Sequence, residues 1–138
     1  MVRNSRSLAK ESTPEQALLS SLLTLFYSLC VPSPLLRVFP AVVVLYGVPD
    51  SRFASPSRCS LPLQLHFGSD DSIVGFSDPK TVDSLETQLK EGSCPYELHR
   101  YAGCGHAFAN ATHLDPLERA AARQVKGRVQ KFFTEKLK

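Results

Sequence analysis

Two short stretches hold the residue types that move protons. Leu63-Gln64-Leu65-His66-Phe67-Gly68-Ser69-Asp70-Asp71-Ser72-Ile73-Val74 reads as an apolar strand running into an acidic turn. Glu97-Leu98-His99-Arg100-Tyr101-Ala102-Gly103-Cys104-Gly105-His106-Ala107-Phe108-Ala109-Asn110 reads as a later strand ending in a Gly-flanked histidine. Asp71 lies four residues past Phe67, in a turn from which a carboxylate can reach across the carboxyl edge of a sheet. His106 stands between Gly105 and Ala107, small neighbours that let an imidazole project. A carboxylate accepting the Nδ1–H of His106 would fix its tautomer, and the other ring nitrogen would take a proton from a serine or cysteine nucleophile. Alone, paired aspartates in a turn are an ordinary turn and a loop histidine is an ordinary surface residue. Their joint order, strand then acid, helix, strand then histidine, makes Asp71 and His106 the expected two-thirds of a catalytic triad. Asp70 is the rival for the acid.

The elements that must position this pair follow from periodicity and punctuation. Pro40-Ala41-Val42-Val43-Val44-Leu45-Tyr46-Gly47 is a continuous β-branched run closed by glycine, as in a strand buried on both faces. Leu63 to Phe67 is a second such strand, with Pro62 at its start, where the missing N–H does least harm. Asp78-Pro79 caps a helix to about Lys90, with Val82, Leu85 and Leu89 on one face and Gly92 as its stop. Glu97 to Tyr101 is a third strand. From Asp115-Pro116 a last helix carries Leu117, Ala120, Ala121, Val125, Val129, Phe132 and Phe133. This alternation predicts an α/β fold with a mainly parallel sheet and helices on both faces. Ahead of it, residues 1–38 form a separate segment, in which Thr13-Pro14 starts an apolar helix over Ala17 to Val31 and Pro32 and Pro34 end it. At 15 residues the apolar run is short for a membrane span. A buried helix, a targeting segment and a misread gene model are the three readings of it.

Composition narrows the function classes. The chain has 138 residues, 43% hydrophobic and 21% charged, which suits one globular domain over residues 39–138 rather than a disordered chain. The formal net charge of +3 comes from scattered basic residues with no aromatic interleaving, so nucleic acid is not an expected partner. The four cysteines, Cys30, Cys59, Cys94 and Cys104, form no C-x-x-C and stand at no zinc spacing from the four histidines. Reduced thiols in a cytoplasmic protein, with no metal, are expected.

These motifs resemble a known family. His66-Phe67-Gly68-Ser69-Asp70-Asp71 and Gly103-Cys104-Gly105-His106-Ala107-Phe108-Ala109-Asn110 are similar to the acid and histidine motifs of dienelactone hydrolases, a branch of the α/β-hydrolase superfamily. Tyr46-Gly47-Val48-Pro49 is similar to that family's strand after the nucleophile helix. The resemblance runs from about Ala41 to Leu137, roughly the carboxy-terminal half of a full-length member. It implies a partial α/β-hydrolase fold, Asp71 as triad acid, His106 as base, a small-molecule ester or lactone as substrate, and no cofactor.

The departures are specific. The family nucleophile is a cysteine in G-x-C-x-G, and neither that pattern nor G-x-S-x-G occurs here. The region before Ala41 offers Ser28 and Cys30 without an adjacent glycine, and a strained elbow needs small residues. Cys104 beside the histidine has the wrong placement for an elbow, and packing or a surface thiol is its expected role. Asn110 stands where family members that cleave dienelactone carry a substrate-binding arginine, so dienelactone itself is not the expected substrate. The expectation is a hydrolase-like chain, truncated and not turning over alone. The alternative is a non-catalytic α/β binding module that self-associates through an open sheet edge.

Overall fold

Consecutive valines restrict the backbone to extended conformations, and Val42–Leu45 forms strand β1. The computed structural model describes residues 40–52, 55–110 and 115–138. The expected helix over Ala17 to Val31, with Ser28 and Cys30, lies outside the described residues. Leu63–Gly68 forms β2, with all six residues buried, and Tyr96–Tyr101 forms β3. Helix α1 spans Pro79–Glu91; Asp78 caps it by accepting the Thr81 N–H, and Gly92 ends it. Helix α2 spans Pro116–Lys136 and opens on a reciprocal capping box between Asp115 and Glu118. A short 3-10 turn, Pro56–Arg58, lies in the β1–β2 connection.

The three strands are parallel in the order β1-β2-β3. Val42 pairs with Leu63 and Leu65 with Leu98, so Val42, Val44, Leu63, Leu65 and Phe67 share one face. Helix α1 covers that face with Val82, Leu85 and Leu89, each at most 2% exposed. Helix α2 covers the other face, where Ala121 and Val125 pack with Tyr46, Tyr101, Cys104 and Phe108. The fold is α/β with a helix on each face, as the alternation predicts. One expected core residue differs. Leu117 is 51% exposed, because the first turn of α2 lies over Gly103 rather than over the sheet. No helix among the described residues is long and apolar enough to cross a membrane.

The face under α2 is not uniformly apolar. His66 is fully buried there, with Nε2 3.1 Å from the Gln64 Oε1 and Nδ1 2.9 Å from the Tyr101 hydroxyl. Gln64 Nε2 donates to Glu97 at 2.7 Å, and Arg128 Nη1 donates to the Tyr101 hydroxyl at 2.9 Å. The partners assign a direction: Arg128 donates to Tyr101, Tyr101 to His66, His66 to Gln64, Gln64 to Glu97. Every link is satisfied with a neutral imidazole. His99 stacks on the His66 ring at 5.1 Å. Burial pushes the His66 imidazole down to about 3, with His99 and Arg128 adding to the effect and Glu97 opposing it.

This network gives a pH-dependent stability. Below about 6.5 the unfolded chain binds a proton at His66 that the folded chain refuses until about 3. The contribution is therefore complete above pH 6.5 and is lost as the pH falls from 6.5 toward 3. The slope is about 1.4 kcal/mol per pH unit. In urea unfolding at pH 7.5 and 5.0, the wild type should lose about 2 kcal/mol more than His66→Gln, whose amide can accept from Tyr101 and donate to Gln64 but cannot titrate. Equal losses would remove His66 as the source.

Candidate active site

The turn after β2 is tied down by its own short polar side chains. Asp71 Oδ1 accepts the Ile73 N–H at 3.1 Å, and the Ile73 carbonyl accepts the N–H groups of Phe76, Ser77 and Asp78. Asp78 closes the turn by accepting the Gly75 N–H at 2.7 Å while capping α1. The Thr81 hydroxyl, with the backbone N–H groups of Gly75 and Thr81, holds the Asp78 carboxyl below the usual carboxylate range against its desolvation. The turn thus holds Asp71 with a side chain that is 0% exposed, although its neighbours Asp70 and Ser72 face solvent.

The histidine turn arrives from the other side. Tyr101 ends β3, and the Asp70 N–H donates to the Cys104 carbonyl at 3.0 Å, joining the two turns directly. Gly68 makes that approach feasible. A Cβ there would lie 2.5 Å from the Gly105 carbonyl oxygen and 2.8 Å from the Cys104 carbonyl carbon. Ala107 carries a positive φ of 58°, uncommon for a residue with a side chain, at the position directly after His106. The Tyr46 hydroxyl holds that turn by accepting the Ala109 N–H at 3.0 Å. Burial pushes the Tyr46 phenol up to about 12, so it stays protonated.

Between the turns, His106 Nδ1 lies 2.8 Å from Asp71 Oδ2 and 3.2 Å from the Ser77 hydroxyl. A carboxylate only accepts, so the pairing places a proton on Nδ1 and leaves the lone pair on Nε2. The side chain of His106 is 35% exposed while its acid is fully buried. Tyr46 meets the ring edge-on at 5.7 Å and Phe76 lies at 6.0 Å. The arrangement is a desolvated carboxylate orienting an imidazole whose other nitrogen is available to a reactant.

Asp71 and His106 are thus brought together, and Asp70, the rival acid, is exposed. Cys104 is fully buried among Tyr46, Tyr101 and Phe108, and burial pushes its thiol up. Ser28 and Cys30 lie outside the described residues. Among the described residues no cluster of three or more His, Cys, Asp or Glu could hold a metal ion. A surface cavity of about 400 Å³ lined by Val48, Asp50, Gly75, Lys80, Thr81 and Gln88 includes neither Asp71 nor His106. Ser77 and Tyr46 are the positioning residues that pattern reading missed. Only the glycine closing β2 gave a sequence signal of close backbone approach.

The family model described as the dienelactone hydrolase family matches residues 30–137. A comparison with curated proteins gives no match.

The tight contact at Gly68 predicts a sharp difference between two glycines. Gly68→Ala must push backbone carbonyls aside and should cost at least about 2 kcal/mol in urea unfolding. At Gly105 a Cβ meets nothing within 4 Å. Gly105→Ala should therefore stay within about 1 kcal/mol of wild type. Equal effects at both sites would contradict the placement of the histidine turn against β2.

Proposed function

The chain belongs to the dienelactone hydrolase family, and from that premise we propose that Asp71 and His106 are the acid and general base of a hydrolase acting on a small-molecule carboxylic ester or lactone. The observation that carries the reading is the 2.8 Å contact between His106 Nδ1 and a wholly buried Asp71 carboxylate. In this role Nε2 takes the proton of an attacking hydroxyl, thiol or water. Asp71 balances the charge of the resulting imidazolium. The same nitrogen then returns the proton to the leaving alkoxide. Asp71 and Ser77 keep the ring from rotating between the two proton transfers.

The acid–base pair alone forms no acyl-enzyme. No G-x-C-x-G or G-x-S-x-G occurs in the sequence, and among the described residues no hydroxyl or thiol is hydrogen-bonded to Nε2. Cys30 is the thiol that precedes β1, and it stands at the first position of the matched region. A second reading, a non-catalytic module that pairs with another chain, is favoured by that missing pattern. It is also favoured by β1 and β3 each having a single strand neighbour among the described residues.

Hydrolysis of p-nitrophenyl acetate separates the two. If the hydrolase reading holds, the purified chain exceeds the buffer rate. His106→Ala then loses at least about two orders of magnitude and Asp71→Asn at least about tenfold. A parallel loss in Cys30→Ala would identify the nucleophile. Rates equal to buffer for all four proteins would defeat the hydrolase reading and leave the binding module.

A further inference from the structure

At the amino edge of the sheet, opposite the Asp71–His106 pair, two thiols meet. Cys59 follows the 3-10 turn in the β1–β2 connection, and Cys94 lies between α1 and β3. Chain register brings these connections together. Leu63 pairs with Tyr96, and the Leu63 N–H donates to the Pro95 carbonyl at 2.9 Å. The contact continues upstream: a Cβ on Gly92 would lie 2.5 Å from the Ser57 carbonyl oxygen, so the end of α1 rests on the 3-10 turn without a side chain between them. Cys59 and Cys94 are 2% and 7% exposed and belong to the same apolar cluster. The Cys59 thiol points to the Leu61 carbonyl at 3.8 Å, and the Cys59 and Cys94 thiols lie near enough for each to act on the other's ionisation. The hydrogen bond to Cys59, together with burial, pushes the Cys94 thiol up.

We propose that Cys59 and Cys94 are a redox-modification site that closes to an intramolecular disulfide on exposure to a hydroperoxide, stapling the β1–β2 connection to the α1–β3 connection. The Cys59 sulfur attacks one oxygen of hydrogen peroxide, the O–O bond breaks, and a sulfenic acid forms with release of water. The Cys94 sulfur then displaces the hydroxyl, which leaves as a second water with the Cys94 proton, and the S–S bond forms. Two thiols lose two electrons and one peroxide gains them. The same balance holds with the two sulfurs exchanged. The neighbouring thiol lies beside the sulfenic acid, and condensation with it gives the disulfide in place of further oxidation. Cys104 is buried in the other cluster, beneath α2, and does not share this contact. This inference does not depend on the hydrolase reading.

The test treats the full reduced chain with hydrogen peroxide, blocks remaining thiols by alkylation, and measures intact mass and tryptic peptides. Expected are a loss of about 2 Da reversed by dithiothreitol, a peptide cross-linked through Cys59 and Cys94, and retention of the cross-link in Cys104→Ala. The melting temperature of the oxidised chain should rise on the order of 10 °C, as for a disulfide closing a long loop. In Cys94→Ser, dimedone should label Cys59. Cross-links through Cys30 or Cys104 instead, oxidation to sulfinic acid with no cross-link, or unchanged thiols would each overturn the proposal. The wild-type peptide map decides the matter even if a cysteine variant fails to fold.

Discussion

Everything at the carboxyl edge of the sheet depends on how closely the backbone of Gly68 approaches the carbonyls of Cys104 and Gly105. Strands β2 and β3 are parallel neighbours, so the turns that follow them leave the sheet side by side. A side chain at the end of β2 would hold those turns apart by more than the length of a hydrogen bond. Its absence lets the Asp70 N–H reach the Cys104 carbonyl, and the same closeness sets Asp71 under His106. The positive φ at Ala107 is the strain that accompanies this path, and the Tyr46 hydroxyl on Ala109 is one of the bonds that offset it.

The two faces of the sheet divide the work of folding. Under α1 the contacts are mostly apolar and non-directional, and they tolerate small adjustments. Under α2 the chain from Arg128 through Tyr101, His66 and Gln64 to Glu97 is directional, with each donor matched to one acceptor. Such a chain contributes little net stability per bond, about 1 kcal/mol, but breaking it leaves a buried polar group unpaired. It therefore selects one register between β2, β3 and α2 more strongly than apolar contact alone would. That register also determines where Tyr101 ends and the histidine turn begins.

Periodicity made the elements legible, while long-range contacts stayed hidden. The valine run, the Asp78-Pro79 and Asp115-Pro116 starts and the Gly92 stop are local signals, and the strands and helices lie within a residue or two of where those signals put them. Asp71 and His106 stood out because each follows a strand in a turn of small residues. Ser77 reaches a partner 29 residues away and Tyr46 one 63 residues away, and nothing in their own neighbours encodes that. Leu117 was misplaced for the opposite reason: helical spacing describes a stripe but not where the sheet beneath it stops. Cys59 and Cys94 have no motif spacing, because the pairing of β2 with β3 brings them together.

Among the described residues, the bonds that orient the Asp71–His106 pair run between residues 46 and 109: Tyr46 to Ala109, Val48 to Phe76, Ile73 to Asp71, Asp70 to Cys104, and Ser77 and Asp71 to His106. These strands and their turns orient the imidazole. The position of a nucleophile in front of Nε2 is a separate variable, set by other residues. In a triad these two requirements are usually met on one continuous sheet edge and cannot be told apart. Here the buried carboxylate and the tautomer it imposes are held by the turns that follow β2 and β3. In the proposed reading, any hydroxyl, thiol or water that reaches Nε2 meets an imidazole already oriented to receive its proton.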